Sequence, residues 1–175
     1  LSPEHKLLDD TIVSRIRCWD LTADDLRSDE LVPTLVEAVC RDFVLDQQRP
    51  VLYMIFSELM SNAIDHGVLG LSSALKDDGD DGFEKYLKAR EHRLQQLLLA
   101  RVAIVVEHRQ VDGWLPQLRI TVTDFGAGFD YARVAREPVG LTTLHGRGLA
   151  ILRNLCSSVR HRGNGNCIEV EFLLD

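Results

Sequence analysis

Two periodicities alternate along the chain. Thr11–Trp19 (TIVSRIRCW) sets Ile12, Ser14, Ile16 and Cys18 on one side of a period-two run. That pattern predicts a half-buried strand and leaves open which side faces inward. Between Ser28 and Val44, Leu31, Leu35, Val39 and Phe43 recur at helical spacing, with Ser28 placed to cap and acids in the first turn. Pro33 falls in the early turns and blurs the helix start. A second helix is predicted from Arg49-Pro50, a proline tolerated in the first turn. Its buried stripe is Leu52, Ile55, Phe56, Leu59, Ala63 and Ile64, and Gly67 is positioned as a left-handed C-cap.

Residues 71–100 read as an insert: a charged, glycine-containing loop (KDDGDDG), then an amphipathic helix that begins at FEKYLKAREHR. Near Arg101 the pattern changes to a β-branched strand, RVAIVVEHR. A turn with Asp112-Gly113 leads to LRITVTD, where Leu118, Ile120 and Val122 alternate with Arg119, Thr121 and Thr123. These two runs predict a hairpin. Phe125–Gly148 is long, glycine-punctuated and weakly periodic. A helix is predicted over Gly148–Val159, a turn at RHRGNGN, and a closing strand with Ile168, Val170 and Phe172 on one face. The order predicts an α+β, two-layer sandwich: a mixed, mainly antiparallel sheet with helices on one face.

Composition narrows the picture. The 175 residues suit one domain, residues 1–175, and a net charge of -7 disfavours a phosphate backbone, so no nucleic acid is expected as partner. No apolar run approaches the roughly 20 residues a spanning helix needs, so no membrane association is expected. The start, LSPEHKLLDD, lacks the apolar core of a signal peptide, and the chain reads as a C-terminal fragment of a longer protein. Cys18, Cys40, Cys156 and Cys167 form no Cys-x-x-Cys pair, which points to reduced thiols and a cytoplasmic location.

Three short stretches carry chemistry. In SELMSNAIDHG, Glu58 and Asn62 are one helical turn apart, His66 continues the row, and Asp65 is within reach. A carboxylate there can take a proton from a nucleophile, and an amide oxygen can ligate magnesium. In TDFGAGFD, Asp124 ends the clearest strand and can accept from an exocyclic amine, while Gly126 and Gly128 free the backbone. In HGRGLAIL, Gly146 and Gly148 precede a helix whose N-terminus favours phosphate. The Asp124-Phe125-Gly126 triplet lacks the upstream glycine-rich loop of a eukaryotic protein kinase, and no P-loop signature is present.

In this order the stretches resemble the N-box and two glycine boxes of the GHKL ATPases, which share the Bergerat ATP-binding fold. Glu58, Asn62, Ala63, His66 and Gly67 fit the form Glu-x-x-x-Asn-Ala-x-x-His-Gly of anti-sigma-factor serine/threonine kinases. The resemblance implies ATP and Mg2+, with Asn62 holding the metal and Glu58 orienting or deprotonating the acceptor hydroxyl. Asp124 would bind the adenine amine. Gly126, Gly128, Gly146, Arg147, Gly148 and Leu149 would frame the nucleotide under a lid at about 129–145. Asp65 and His66 would support or cap that site. The implied substrate is an anti-sigma-factor antagonist in a partner-switching circuit, with a sigma factor or anti-sigma regulator as further partner and, on likeness alone, a homodimer. Two other readings stand beside it: an ATP-binding regulator that sequesters a sigma factor or related protein with little turnover, and a histidine kinase catalytic domain. The family's closing strand often starts with Gly-Thr, whose threonine approaches the nucleotide; here the chain reads GNGNCIEV.

Overall fold

A computed structural model describes residues 13–72, 75–76, 81–110, 115–126 and 147–174. Gly128, Gly146, the expected lid at 129–145 and the Asp112-Gly113 turn lie outside the described residues. Strand β1 (Val13–Thr22) leads through the one-turn helix α1 (Ala23–Leu26) to α2 (Leu31–Phe43) and α3 (Arg49–Ser61). The insert carries α4 (Gly82–Gln96). The hairpin of β2 (Arg101–Gln110) and β3 (Gln117–Asp124) follows, then α5 (Arg147–Leu155), β4 (Ser158–Arg162) and β5 (Cys167–Leu173).

The five strands form one sheet in the order β1-β2-β3-β5-β4, and every described pairing is antiparallel rather than mixed. The fold is α+β. The inward rows are Val102, Ile104 and Val106 of β2, Leu118, Ile120 and Val122 of β3, and Ile168, Val170 and Phe172 of β5, all buried. Against them lies α3, whose Leu52, Ile55, Phe56 and Leu59 have no exposed surface. Each such side chain stabilises the fold by roughly 1.5–3 kcal/mol relative to exposure. The helix packs against both α2 and α5, which places its C-terminal end over β3. The opposite sheet face carries a charge ladder in which Arg119 bonds Glu171 at 2.9 Å and Arg162 bonds Glu169 at 2.9 Å.

One question left open in the sequence is decided, and three local expectations are corrected. In β1 the row Ser14, Ile16 and Cys18 is exposed, and the row Arg15, Arg17, Trp19 and Leu21 turns towards the helices. Arg17 pairs with Asp42 at 3.4 Å, and the Arg15 guanidinium lies 5.5 Å from the centre of the Phe43 ring. Arginine stems can cover apolar surface while the heads pair, so this row reads as polar in sequence. First, α2 starts at Leu31, with Ser28 Oγ accepting from the Glu30 N–H rather than capping the helix. Second, α5 ends at Leu155, and Ser158–Arg162 is an edge strand rather than the end of a helix. Third, α3 is not capped at Gly67; the left-handed glycine is Gly70, at φ 59°.

Candidate functional site

Beyond Ser61 the backbone of α3 widens into a π-turn from Asn62 to Val68, closed by the Leu69 N–H donating to Ile64 O at 2.8 Å. Such turns are concentrated at functional sites. This one brings Gly67 against the end of β3. A methyl group on Gly67 would lie 2.3 Å from Asp124 Cγ, and one on Gly126 would lie 2.0 Å from Gly67 O. Glycine at both positions is therefore a requirement of close approach between the first two motifs.

Asn62 opens the π-turn. Its Nδ2 is buried and makes no hydrogen bond. A buried unpaired amide nitrogen is costly, which fits a polar group that completes its bonding with a ligand. Asp124 is 7% exposed, and burial raises its carboxyl above the usual range, partly offset by the Gly126 N–H donating to Oδ1 at 3.0 Å. A cavity of ≈ 20 Å³ lies among Asn62, Ala63, Val122, Asp124, His161, Gly165, Asn166 and Ile168. That volume has room for about one water, so it marks where polar groups converge rather than the extent of a ligand.

Glu58 sits one turn before Asn62, partly buried. Burial raises its carboxyl, and Lys76 of the insert draws it back down. A methyl on Gly148 would stand 2.3 Å from Glu58 Oε2, so the first turn of α5 is seated on this carboxylate. The second glycine box and the N-box thus meet at Glu58. Among the described residues no three His, Cys, Asp or Glu side chains form a metal-binding group. The amide oxygen of Asn62 suits a magnesium ion held mainly by phosphate and water oxygens, so the residues fit that metal only alongside a nucleotide.

Other expected residues face elsewhere. Asp65 is 3% exposed and accepts from Tyr86 Oη at 2.7 Å, Arg90 Nε at 2.7 Å and Ser61 Oγ at 3.2 Å. His66 Nδ1 lies 2.6 Å from Leu71 O and holds the exit of the turn. Leu149 packs on the core, and Arg147 is exposed.

Sequence reasoning missed His161, Asn166 and Lys76. Asn166 straps the end of β3: its O accepts from the Asp124 N–H at 2.9 Å, and its Nδ2 donates to Asp124 O at 3.0 Å. His161 points inward from β4, and burial, then Arg153, lowers its pKa. The available signal was the alternation Val159, His161 read as a strand running into the departure at GNGN.

The family profile of the histidine kinase-like ATPase domain matches residues 21–172, most of the chain. The chain belongs to that family. It is a GHKL-type ATP-binding domain of the kinase and ATPase class. No curated protein matches it. No described helix is long and apolar enough to cross a membrane.

Proposed function

We propose that this GHKL domain is a Mg2+- and ATP-dependent serine/threonine kinase acting on an anti-sigma-factor antagonist in a partner-switching circuit. The observation that carries the reading is Glu58: a partly buried carboxylate with a raised pKa, one turn from Asn62 and seated under Gly148. The resemblance of Glu58, Asn62, Ala63, His66 and Gly67 to the anti-sigma kinase N-box supports the acceptor class. The described residues ahead of that motif form β1 and α2, which pack with the domain itself rather than as a helical phospho-acceptor hairpin.

In this reading Asp124 accepts from the adenine amine, and Asn62 would hold magnesium through its amide oxygen, where the bound ion would supply neutralisation of phosphate charge. Glu58 orients the partner's hydroxyl and receives its proton as the hydroxyl oxygen bonds to the γ-phosphorus and the bond to the ADP oxygen breaks. Positioning and charge neutralisation carry most of such a transfer, so no nucleophile of this chain is required.

The test is a calorimetric titration of ATP with and without Mg2+, followed by phosphate transfer to candidate antagonist proteins. Wild type binds in the presence of Mg2+, Asn62→Ala loses Mg2+-dependent binding, and Glu58→Ala binds but transfers slowly. Tight Mg2+-dependent binding by Asn62→Ala removes the metal assignment. Acid-labile phosphate on the acceptor indicates the histidine kinase reading. Binding of ATP and a regulator without transfer indicates a sequestering module.

A further inference from the structure

The insert is joined to the nucleotide site by a part-buried ionic contact. On α4, Tyr86, Arg90, Arg93 and Leu94 share one face at helical spacing. Tyr86 and Leu94 are buried. Tyr86 Oη donates to Asp65 Oδ2, and Arg90 Nε donates to Asp65 Oδ1, both at 2.7 Å. Arg93 donates to Leu69 O at 2.6 Å and to Gly70 O at 3.2 Å, taking up carbonyls where the π-turn ends. The Leu71 N–H returns to Asp65 O at 2.7 Å. Asp65 belongs to the same π-turn as Asn62 and Gly67, and Gly67 is in contact with Asp124 and Gly126. One side of the turn is therefore gripped by α4 while its other side bears on the end of β3.

The Asp65 side chain is 4% exposed, and three donors meet its two oxygens, as a buried polar group requires. Removing a donor leaves a buried oxygen unmatched at the middle of a seven-residue π-turn. A π-turn is a local departure from α-helical spacing, so the α-helical form of the same segment is its alternative. Return to α-helical spacing would rotate Gly67 away from Asp124, with Asn62, whose N–H still bonds Glu58 O and Leu59 O of α3, as the pivot.

We propose that α4 is a positioning element of the nucleotide site: Tyr86 and Arg90, through Asp65, hold the π-turn in the form that sets Gly67 against Asp124, next to Asn62. This rests on the nucleotide-site reading above. Coupling of this kind is reciprocal, so nucleotide bound at Asn62 and Asp124 in turn tightens α4.

The experiment compares wild type with Tyr86→Phe, Arg90→Ala and Arg90→Lys in three measurements: urea unfolding, Mg2+-ATP affinity and amide hydrogen exchange with and without Mg2+-ATP. Arg90→Ala is expected to weaken Mg2+-ATP by about tenfold, inside the span of about 5- to 150-fold usual for coupled sites. Arg90→Lys, which keeps the charge, recovers most of that loss, and Tyr86→Phe loses a few-fold. Mg2+-ATP slows exchange in α4 of wild type and does so less in Arg90→Ala. A purely structural clamp would lower stability without the lysine rescue of affinity or the nucleotide-dependent protection. Variants that bind as wild type does, or an α4 whose exchange ignores nucleotide, overturn the proposal. If Arg90→Ala does not fold, Tyr86→Phe decides, since it removes a single hydroxyl. If wild type itself binds no nucleotide, the kinase reading falls and the clamp is judged without ligand. Faster exchange at Gly67 and Gly126 in Tyr86→Phe, with β2 unchanged, then supports it; equal exchange overturns it.

Discussion

Glu58 shows how much one residue's surroundings decide. Its carboxyl is raised by burial, so the folded pKa lies above the unfolded value. For that sign, the protonated form is the one the fold favours: the stability contribution is fully present below the unfolded pKa and is lost as pH rises through the folded pKa. Glu58→Gln should therefore melt higher than wild type at pH 8, with the difference closing towards pH 4, although transfer slows. A lower melting temperature for Glu58→Gln at pH 8 would contradict the desolvation argument. Gly148 tests the same carboxylate from the other side. Because the atom a Gly148 methyl would meet, at 2.3 Å, is the movable end of Glu58, Gly148→Ala should fold, with thermal stability unchanged or raised by the better helix propensity. Its transfer rate should drop at least about tenfold, equivalent to about 1.4 kcal/mol of lost transition-state stabilisation. Unchanged turnover in a steady-state assay would show that Glu58 can shift without consequence.

At the scale of elements, backbone geometry decides matters that side-chain pattern leaves open. Helix α2 ends on Val44 in the left-handed region, at φ 60° and ψ 54°, with the side chain 78% exposed. A β-branched residue is strained there and gains no packing in return. Val44→Gly should stabilise the domain by about 1 kcal/mol, read as a higher urea midpoint with an unchanged m-value. The opposite holds where the π-turn meets β3. A Gly126→Ala methyl would meet the Gly67 carbonyl oxygen at 2.0 Å, a backbone atom that cannot swing aside. The expected loss is about 1–3 kcal/mol, with weaker nucleotide binding, and a loss below about 0.5 kcal/mol would mean that the two motifs are not interlocked. The motif glycines were legible as glycines, but their distinct duties were not. Gly67 serves close approach and Gly70 the left-handed turn. Strand β4 was missed for a related reason: SVRHR is short, polar and at a sheet edge, where pairing with β5 supplies what composition does not.

For the whole molecule, the apolar periodicities by themselves determined a great deal. The hairpin, the closing strand, the buried stripe of α3 and the α+β class follow from side chains that must leave water on one face of a helix or strand, and that requirement is written locally. The order of the three motifs pointed to the GHKL class, and the spacing of their glycines matches the close approach of Gly67 to Asp124, Gly126 to Gly67 and Gly148 to Glu58. Tertiary structure alone decided three things. It laid the exposed arginine row of β1 against α2, since pairing with Asp42 and stacking on Phe43 link residues far apart in sequence. It assigned Asp65 to α4 instead of to the cavity, because Tyr86 and Arg90 reach it from 21 and 25 residues away. It also brought His161 and Asn166 to the cavity at the end of β3, where strand register, which no single segment encodes, determines which side chains meet.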